Sequence, residues 1–239
     1  MGAKRLRRKE IEMRKVLAKT FLTLDGVMQA PGAPEEDPTG GFTHGGWSFN
    51  YWDEGMGKLM GEAMSASFDL LLGRKTYEIF AAHWPHIKEG DPVADKFNVV
   101  TKYVATSSAA PLAWKNSRAI CGNVPAEVAR LKQEDGPDLI LQGSSQLIQT
   151  LLANDLIDEF HLWVFPLVLG SGKRLFGQGA MPAGLKLVET RASTTGVTMS
   201  TYVRSGAVST GSFALEEPTE AELERRQKMK QEAKPNLTS

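Results

Sequence analysis

Apolar residues in this chain come in short runs separated by glycine-bearing polar breaks, and several of these runs then switch to helical spacing. Residues 14–24 read as a buried strand ending in Thr23-Leu24-Asp25-Gly26, where Asp-Gly marks a turn. Residues 29–50 carry Pro31, Pro34, Pro38 and five glycines, so they read as a long loop, which closes in the aromatic cluster Trp47, Phe49, Tyr51 and Trp52. From Asp53 to Ser67 the apolar positions Met56, Leu59, Met60, Ala63 and Met64 recur at helical steps. Phe68 and Leu70-Leu71-Leu72 form a strand that runs straight into Gly73-Arg74-Lys75-Thr76. Tyr77, Phe80 and Trp84 then predict a helix from about Thr76.

The alternation continues. Asn98-Val99-Val100 and Tyr103–Ser108 predict a strand ending in hydroxyls, and Arg118–Cys121 predicts another. A helix follows from Pro125 to Gln133, with proline near the first turn, where its missing N–H costs nothing. Asp138–Gln142 reads as a buried strand, leading through Gly143-Ser144-Ser145 into a helix carrying Leu147, Ile148, Leu151 and Leu152. Ile157–Leu169 has the pattern of a central strand, and 185–190 with 197–203 that of a hairpin. Beyond Ser205 the chain turns Ser/Gly/Thr-rich and ends in a charged stretch with a Thr219/Glu222 capping-box pattern. Three parts are expected: a basic disordered arm over residues 1–12, one α/β domain over 13–205, and a charged tail over 206–239.

Composition narrows the function classes. Lys+Arg and Asp+Glu both number 28, so no global charge draws the protein to nucleic acid or an anionic membrane, and any anion site must be local. No apolar run approaches the ~20 residues that span a bilayer, and no apolar segment follows the basic start, so a cytoplasmic protein is expected. The single cysteine, Cys121, allows no intrachain disulfide and reads as a small buried thiol. His83 and His86 lack a third ligand in register, and with His44 they read as surface or structural histidines, so no metal is expected.

In a sheet of this kind ligands sit beyond the carboxyl ends of strands, and phosphates favour helix N-termini. Two junctions fit, Gly73-Arg74-Lys75-Thr76 and Gly143-Ser144-Ser145, and the first also supplies two cations. Neither is a P-loop, because Gly172-Lys173 has Leu167 where a glycine is needed and is followed by Arg174. Asp25 reads as a turn residue or part of an active-site rim. Trp47, beside the Gly-rich loop, is the aromatic best placed to stack on a substrate.

The runs Thr23-Leu24-Asp25-Gly26, Leu72–Glu78, Leu141-Gln142-Gly143-Ser144, Asp158-Glu159-Phe160 and Pro166–Phe176 together resemble the dihydrofolate-reductase-like group, which includes the C-terminal reductase domain of the riboflavin-biosynthesis deaminase-reductase. The resemblance covers about residues 14–204. It implies a three-layer α/β fold with a mostly parallel central sheet and an antiparallel C-terminal hairpin. It also implies a homodimer and an NADPH-dependent oxidoreductase acting on a small heterocyclic or carbonyl substrate. Gly73, Arg74, Lys75 and Thr76 would hold the pyrophosphate and 2′-phosphate side, Thr106 and Ser107 the adenosine ribose phosphate, and Gly143, Ser144 and Ser145 the pyrophosphate. Asp53, following Trp47 and opening a helix, would be the acid, although the same position suits a helix N-cap. Two departures argue against the riboflavin intermediate as substrate. The family's Asp-Asp-Pro-x-Leu-x-x-Arg stretch is absent after Gly73, and Gln142 and Ser144 replace a glutamate and a glycine. The alternative reading is a nucleotide-binding or structural dimer module without catalysis.

Overall fold

The computed structural model describes residues 13–177, 180–214 and 216–232. The basic arm over 1–12 lies outside them. The chain divides into two units at Gly206/Ala207. In the first, eight strands form one sheet: β1 (Val16–Thr23), β2 (Phe68–Gly73), β3 (Lys102–Ala105), β4 (Ser117–Ile120), β5 (Asp138–Gln142), β6 (Glu159–Phe165), β7 (Leu185–Ala192) and β8 (Thr198–Arg204). Their order is β4-β3-β2-β5-β1-β6-β8-β7. The strands from β4 to β6 pair in parallel, while β8 lies antiparallel to both β6 and β7. This is the mostly parallel sheet with a terminal antiparallel hairpin that the resemblance implied.

Strand alternation builds the layers. Val16, Ala18 and Leu22 of β1 join Leu139, Leu141 and Leu71 on one face, covered by α4 (Val124–Lys132) and α5 (Ser145–Ala153) through Val128, Leu131, Ile148 and Leu151. Leu17, Leu70, Leu72 and Ile140 face the other way, against α1 (Glu54–Ser65), α2 (Arg74–His83) and α3 (Pro92–Val99) through Met64, Tyr77 and Phe97. The central strands are thus buried on both faces, as the near-continuous apolar runs of parallel strands require. Each fully buried leucine contributes roughly 1.5–3 kcal/mol.

Three boundaries differ from the sequence expectation. Asn98 and Val99 belong to α3, because Asp91 caps that helix through Val93 N and Ala94 N and Pro92 supplies its first turn. The strand begins only at Lys102, whose buried ammonium donates to the carbonyls of Phe97, Asn98 and Val100 and so closes the end of α3. Burial pushes that ammonium down to about 8. β6 stops at Phe165, because Pro166 has no N–H to give a ladder. Cys121, expected to be buried, is exposed just past β4, where the strand has run out of the sheet.

The second unit, 207–239, contains α6 (Glu220–Glu232), with Thr219 Oγ1 accepting from Glu222 N as the capping pattern predicts. Glu222 pairs with Arg225 and Arg226 on a helix with no buried residue. No described helix is long and apolar enough to cross a membrane.

Candidate functional site

The carboxyl ends of β2, β3 and β5 open on a cleft of about 1810 Å³ between the sheet, α1, α2 and the loop over residues 28–52. Pockets for one drug-sized ligand measure about 300–1,000 Å³, so this cleft is larger than one such ligand needs. At one end it collects all three predicted cofactor stretches: Gly73 to Thr76, Thr106 and Ser107, and Gly143 to Ser145.

The two glycine junctions meet through Ser144. Its hydroxyl accepts from Gly73 N at 2.8 Å, and its own N–H donates to Thr76 Oγ1 at 3.0 Å. Ser144 adopts a left-handed conformation (φ 58°, ψ 53°), which is rare outside glycine and recurs where function over-determines the backbone. Gly143 also has positive φ (58°), and a Cβ there would stand 2.9 Å from Thr76 Cγ2. Nothing larger than glycine fits. Immediately afterwards α2 and α5 begin at residues that line the cleft, neither with a side-chain cap, so their first N–H groups have no partner from the cap residue. By contrast α1, α3 and α4 are capped by Asp53, Asp91 and Asn123.

The cations beside this end are already engaged. Arg74 Nε donates to Glu78 at 2.6 Å, and its Nη1 to the Ala110 carbonyl at 3.0 Å. Lys75 Nζ reaches Asp37 at 3.0 Å and Thr39 Oγ1 at 2.9 Å, and Lys173 grips the other oxygen of Asp37. Burial works against the Asp37 carboxylate, but hydrogen bonds from Lys173, Thr39 and Lys75 outweigh it and hold the group at about 2. Asp37 thereby ties the proline-rich loop to the start of α2. Thr106 is buried, and its hydroxyl accepts from Ser108 N at 3.0 Å, which turns the chain out of β3.

Three other sequence candidates are not brought to the cleft. Asp53 caps α1 through Met56 N at 2.8 Å and receives Thr194 N at 2.8 Å and Thr194 Oγ1 at 2.7 Å. These bonds hold its carboxyl below the usual range, and it borders a separate, smaller hollow beside the β7–β8 turn. Asp25 receives Leu169 N and Gly170 N and pairs with Arg174, fastening the Asp-Gly turn to the loop after β6. Trp47 donates from its indole to the Gln29 carbonyl at 2.8 Å and packs edge-on against Phe165, so it shapes the loop and leaves the cleft wall to others.

The other end of the cleft holds residues that periodicity had not singled out. On the sheet face toward α1, register aligns Gln142 (β5), Lys19 (β1), His161 (β6), Thr201 (β8) and Glu189 (β7) in one row across the strands. One step along, Phe21, Trp163, Met199 and Arg191 form a second row. Both rows line the cleft. Phe21 stacks on Trp163 at 5.3 Å, and Trp52 from the loop leans on both. Burial lowers the Lys19 ammonium from its ordinary value and does the same to the His161 imidazole, which is hydrogen-bonded to Glu159 at 3.1 Å. The sequence signal for Lys19 was there: a lysine inside a strand with buried neighbours on both sides is expensive unless it has a task. Among the described residues no three His, Cys, Asp or Glu side chains cluster to hold a metal.

Comparison with known proteins places this geometry. The chain's fold is shared with solved structures of low identity: a putative riboflavin biosynthesis protein from Shewanella (20% identical, TM-score 0.56, 80% of this chain and 99% of that one); a pyrimidine reductase-like protein from Corynebacterium diphtheriae (11%, 0.52, 81% and 93%); and dihydrofolate reductase from Enterococcus faecalis, complexed with NADP(H) and RAB-propyl (15%, 0.50, 80% and 96%). It is a dihydrofolate-reductase-like fold. Residues 14–199 match the RibD C-terminal domain, and the chain belongs to that family. Its curated relatives include two Bacillus subtilis proteins of uncharacterised function. YyaP is 27% identical over 205 residues (82% of this chain, 98% of the relative), and YwjB is 35% identical over 122 residues (51% and 66%).

Proposed function

We propose that the protein is an NADPH-dependent reductase that transfers a hydride to a small planar heterocyclic or carbonyl compound. The observation that carries this reading is the pair of uncapped helix starts, α2 and α5, joined through Ser144 at one end of a cleft whose other end is lined by aromatic and basic side chains. Free N–H groups and the positive ends of two helices suit a pyrophosphate. In this reading Gly73 to Thr76 and Gly143 to Ser145 hold the phosphates, while Thr106 and Ser107 take the ribose phosphate. The reduced nicotinamide supplies the hydride. The chain supplies position: the rings of Phe21, Trp52 and Trp163 hold a flat second ligand against the sheet and keep water from it.

Asp53 has no place in this scheme as proton donor. Its carboxylate is spent on Met56 and Thr194, and it faces a different hollow. The groups that can move a proton at the ring end are Lys19 and His161. The same reading makes the protein a cytoplasmic homodimer, which sedimentation of the purified chain checks. Titration with NADPH and NADH, read by tryptophan fluorescence, tests the cofactor. Trp52 and Trp163 border the cleft and should respond to its filling. Saturable quenching by NADPH is expected, and absence of binding by either nucleotide would sink the reductase reading.

A further inference from the structure

Two of the cations beside the start of α2 already hold an anion, and it comes from the protein's own loop. Asp37 is buried, although most of its neighbours from Gly32 to Gly41 are exposed. Its carboxylate lies between two ammonium groups: Lys75 from the first turn of α2, at 3.0 Å, and Lys173 from the loop after β6. Thr39 completes the knot. Its hydroxyl donates to Asp37 Oδ1 and accepts from Lys75 at 2.9 Å and from Lys173 at 3.0 Å. Two lysines thus share three acceptor oxygens, the number that a terminal phosphate offers.

The two sides of this knot are held differently. On the loop side Gln29 Nε2 donates to the carbonyls of Asp37 and Thr39, both at 2.9 Å, and Lys173 N donates to Gln29 Oε1 at 3.0 Å. Phe42 is buried there with Val27 and Ala30. These contacts keep Asp37 beside Lys173 without help from α2. On the α2 side, among the described residues, every hydrogen bond or ion pair that joins residues 32–43 to the helix runs through Lys75. The Lys75 side chain is half exposed, so its pair with Asp37 is a weak one. Both residues line the cleft next to the uncapped first turn of α2. A phosphate at that turn would stand within reach of an ammonium rooted in the same turn.

We propose that Asp37 is an internal competitor for the phosphate end of the cleft: it holds Lys75 until a phosphate-bearing ligand takes that ammonium, and the exchange unties the loop over residues 28–52 from α2. This deepens the reductase reading above and rests on it for placing phosphates at the start of α2. Lys173 and Gln29 retain the carboxylate, so the exchange releases one side chain and one tether and leaves the fold intact. The same loop carries Trp52 to the other end of the cleft, against Phe21 and Trp163. Filling one end thereby changes the freedom of a wall at the other.

The test uses the whole protein and inorganic pyrophosphate, followed by calorimetry at one fixed salt concentration. Asp37→Asn keeps the shape and removes the charge, and should bind pyrophosphate about ten-fold tighter than the native chain, the size of one charge-assisted hydrogen bond freed from competition. Lys75→Gln should weaken pyrophosphate several-fold, and adding Asp37→Asn to it should recover little. Hydrogen exchange in peptides spanning residues 35–43 should quicken when pyrophosphate saturates the native chain. A folded Asp37→Asn variant that binds pyrophosphate no tighter overturns the proposal, because a purely structural carboxylate leaves the affinity equal or lower when lost. Absence of pyrophosphate binding by both chains overturns it too. If the variant fails to fold, exchange that stays the same or slows in the native chain does so instead. A protein that binds NADPH but shows neither change refutes the internal competitor alone. Tighter pyrophosphate binding by Asp37→Asn in a protein that ignores NADPH and NADH refutes the reductase reading alone.

Discussion

Five helices of the sheet domain begin in two different ways, and the difference falls at the two junctions proposed above to hold the cofactor. At α1, α3 and α4 a side chain from Asp53, Asp91 or Asn123 satisfies the first N–H groups. Such a cap is typically worth ~1 kcal/mol. At α2 and α5 the cap positions are Gly73 and a left-handed Ser144, and the Ser144 hydroxyl joins the two junctions by accepting from Gly73 N and bonding Thr76 Oγ1. A chain that caps three helices and leaves two open, side by side on one cleft, gives up that stability where an anion would supply it.

Four measurements break or sharpen this contrast. Gly143→Ala should have the largest effect, because its Cβ meets Thr76 Cγ2 at 2.9 Å with φ at 58°. A loss of about 2–3 kcal/mol in denaturant unfolding is expected, together with at least a ten-fold weaker NADPH affinity. A variant that binds NADPH normally would remove this junction from the site. Asp53→Ala removes a cap and the link to Thr194, and should lower the denaturant midpoint without changing NADPH affinity. Unchanged stability with abolished turnover would restore Asp53 as the proton donor.

Arg74→Ala should weaken NADPH about ten-fold more than NADH if the guanidinium leaves Glu78 for a 2′-phosphate. Equal weakening of both would assign Arg74 to the pyrophosphate or to structure. The smallest effect is acid-dependent. Asp37 titrates at about 2 in the folded protein against 3.8 for its ordinary value, so its contribution is present above that value and is lost as pH falls through about 2. Allowing for solvent screening, about 1 kcal/mol should disappear over that window, and Asp37→Asn should flatten the acid limb of the stability curve.

The meeting of the two glycine junctions at one end of the cleft was partly legible along the chain because its logic is local. A strand, a glycine and a helix start are consecutive in sequence at Gly73 and again at Gly143, and each can be read without knowing what lies beside it. Thr106 and Ser107 follow a strand in the same way. At the acidic candidates the sequence left two readings open, and the turn for Asp25 and the helix cap for Asp53 are the ones the structure shows. Asp25, Trp47 and Asp53 stand in the elements expected of them, but their side chains turn to Gly170, Gln29 and Thr194, partners between 18 and 145 residues away. Asn98 and Val99 were misplaced because the β-branched pair Val99-Val100 read as strand, while the Asp91 cap and Pro92 started a helix that runs through Val99.

By itself the sequence determined the alternation of strands and helices, the hairpin at the end of the sheet, and the two glycine junctions, because each is set by short-range sterics and period. Only the tertiary structure decided that Ser144 would join those junctions, that Asp53 would be a cap, and that Lys19 and His161, 142 residues apart, would lie as neighbours on one sheet face. Strand register across a parallel sheet is fixed by the packing of both faces at once, and no local pattern carries that information.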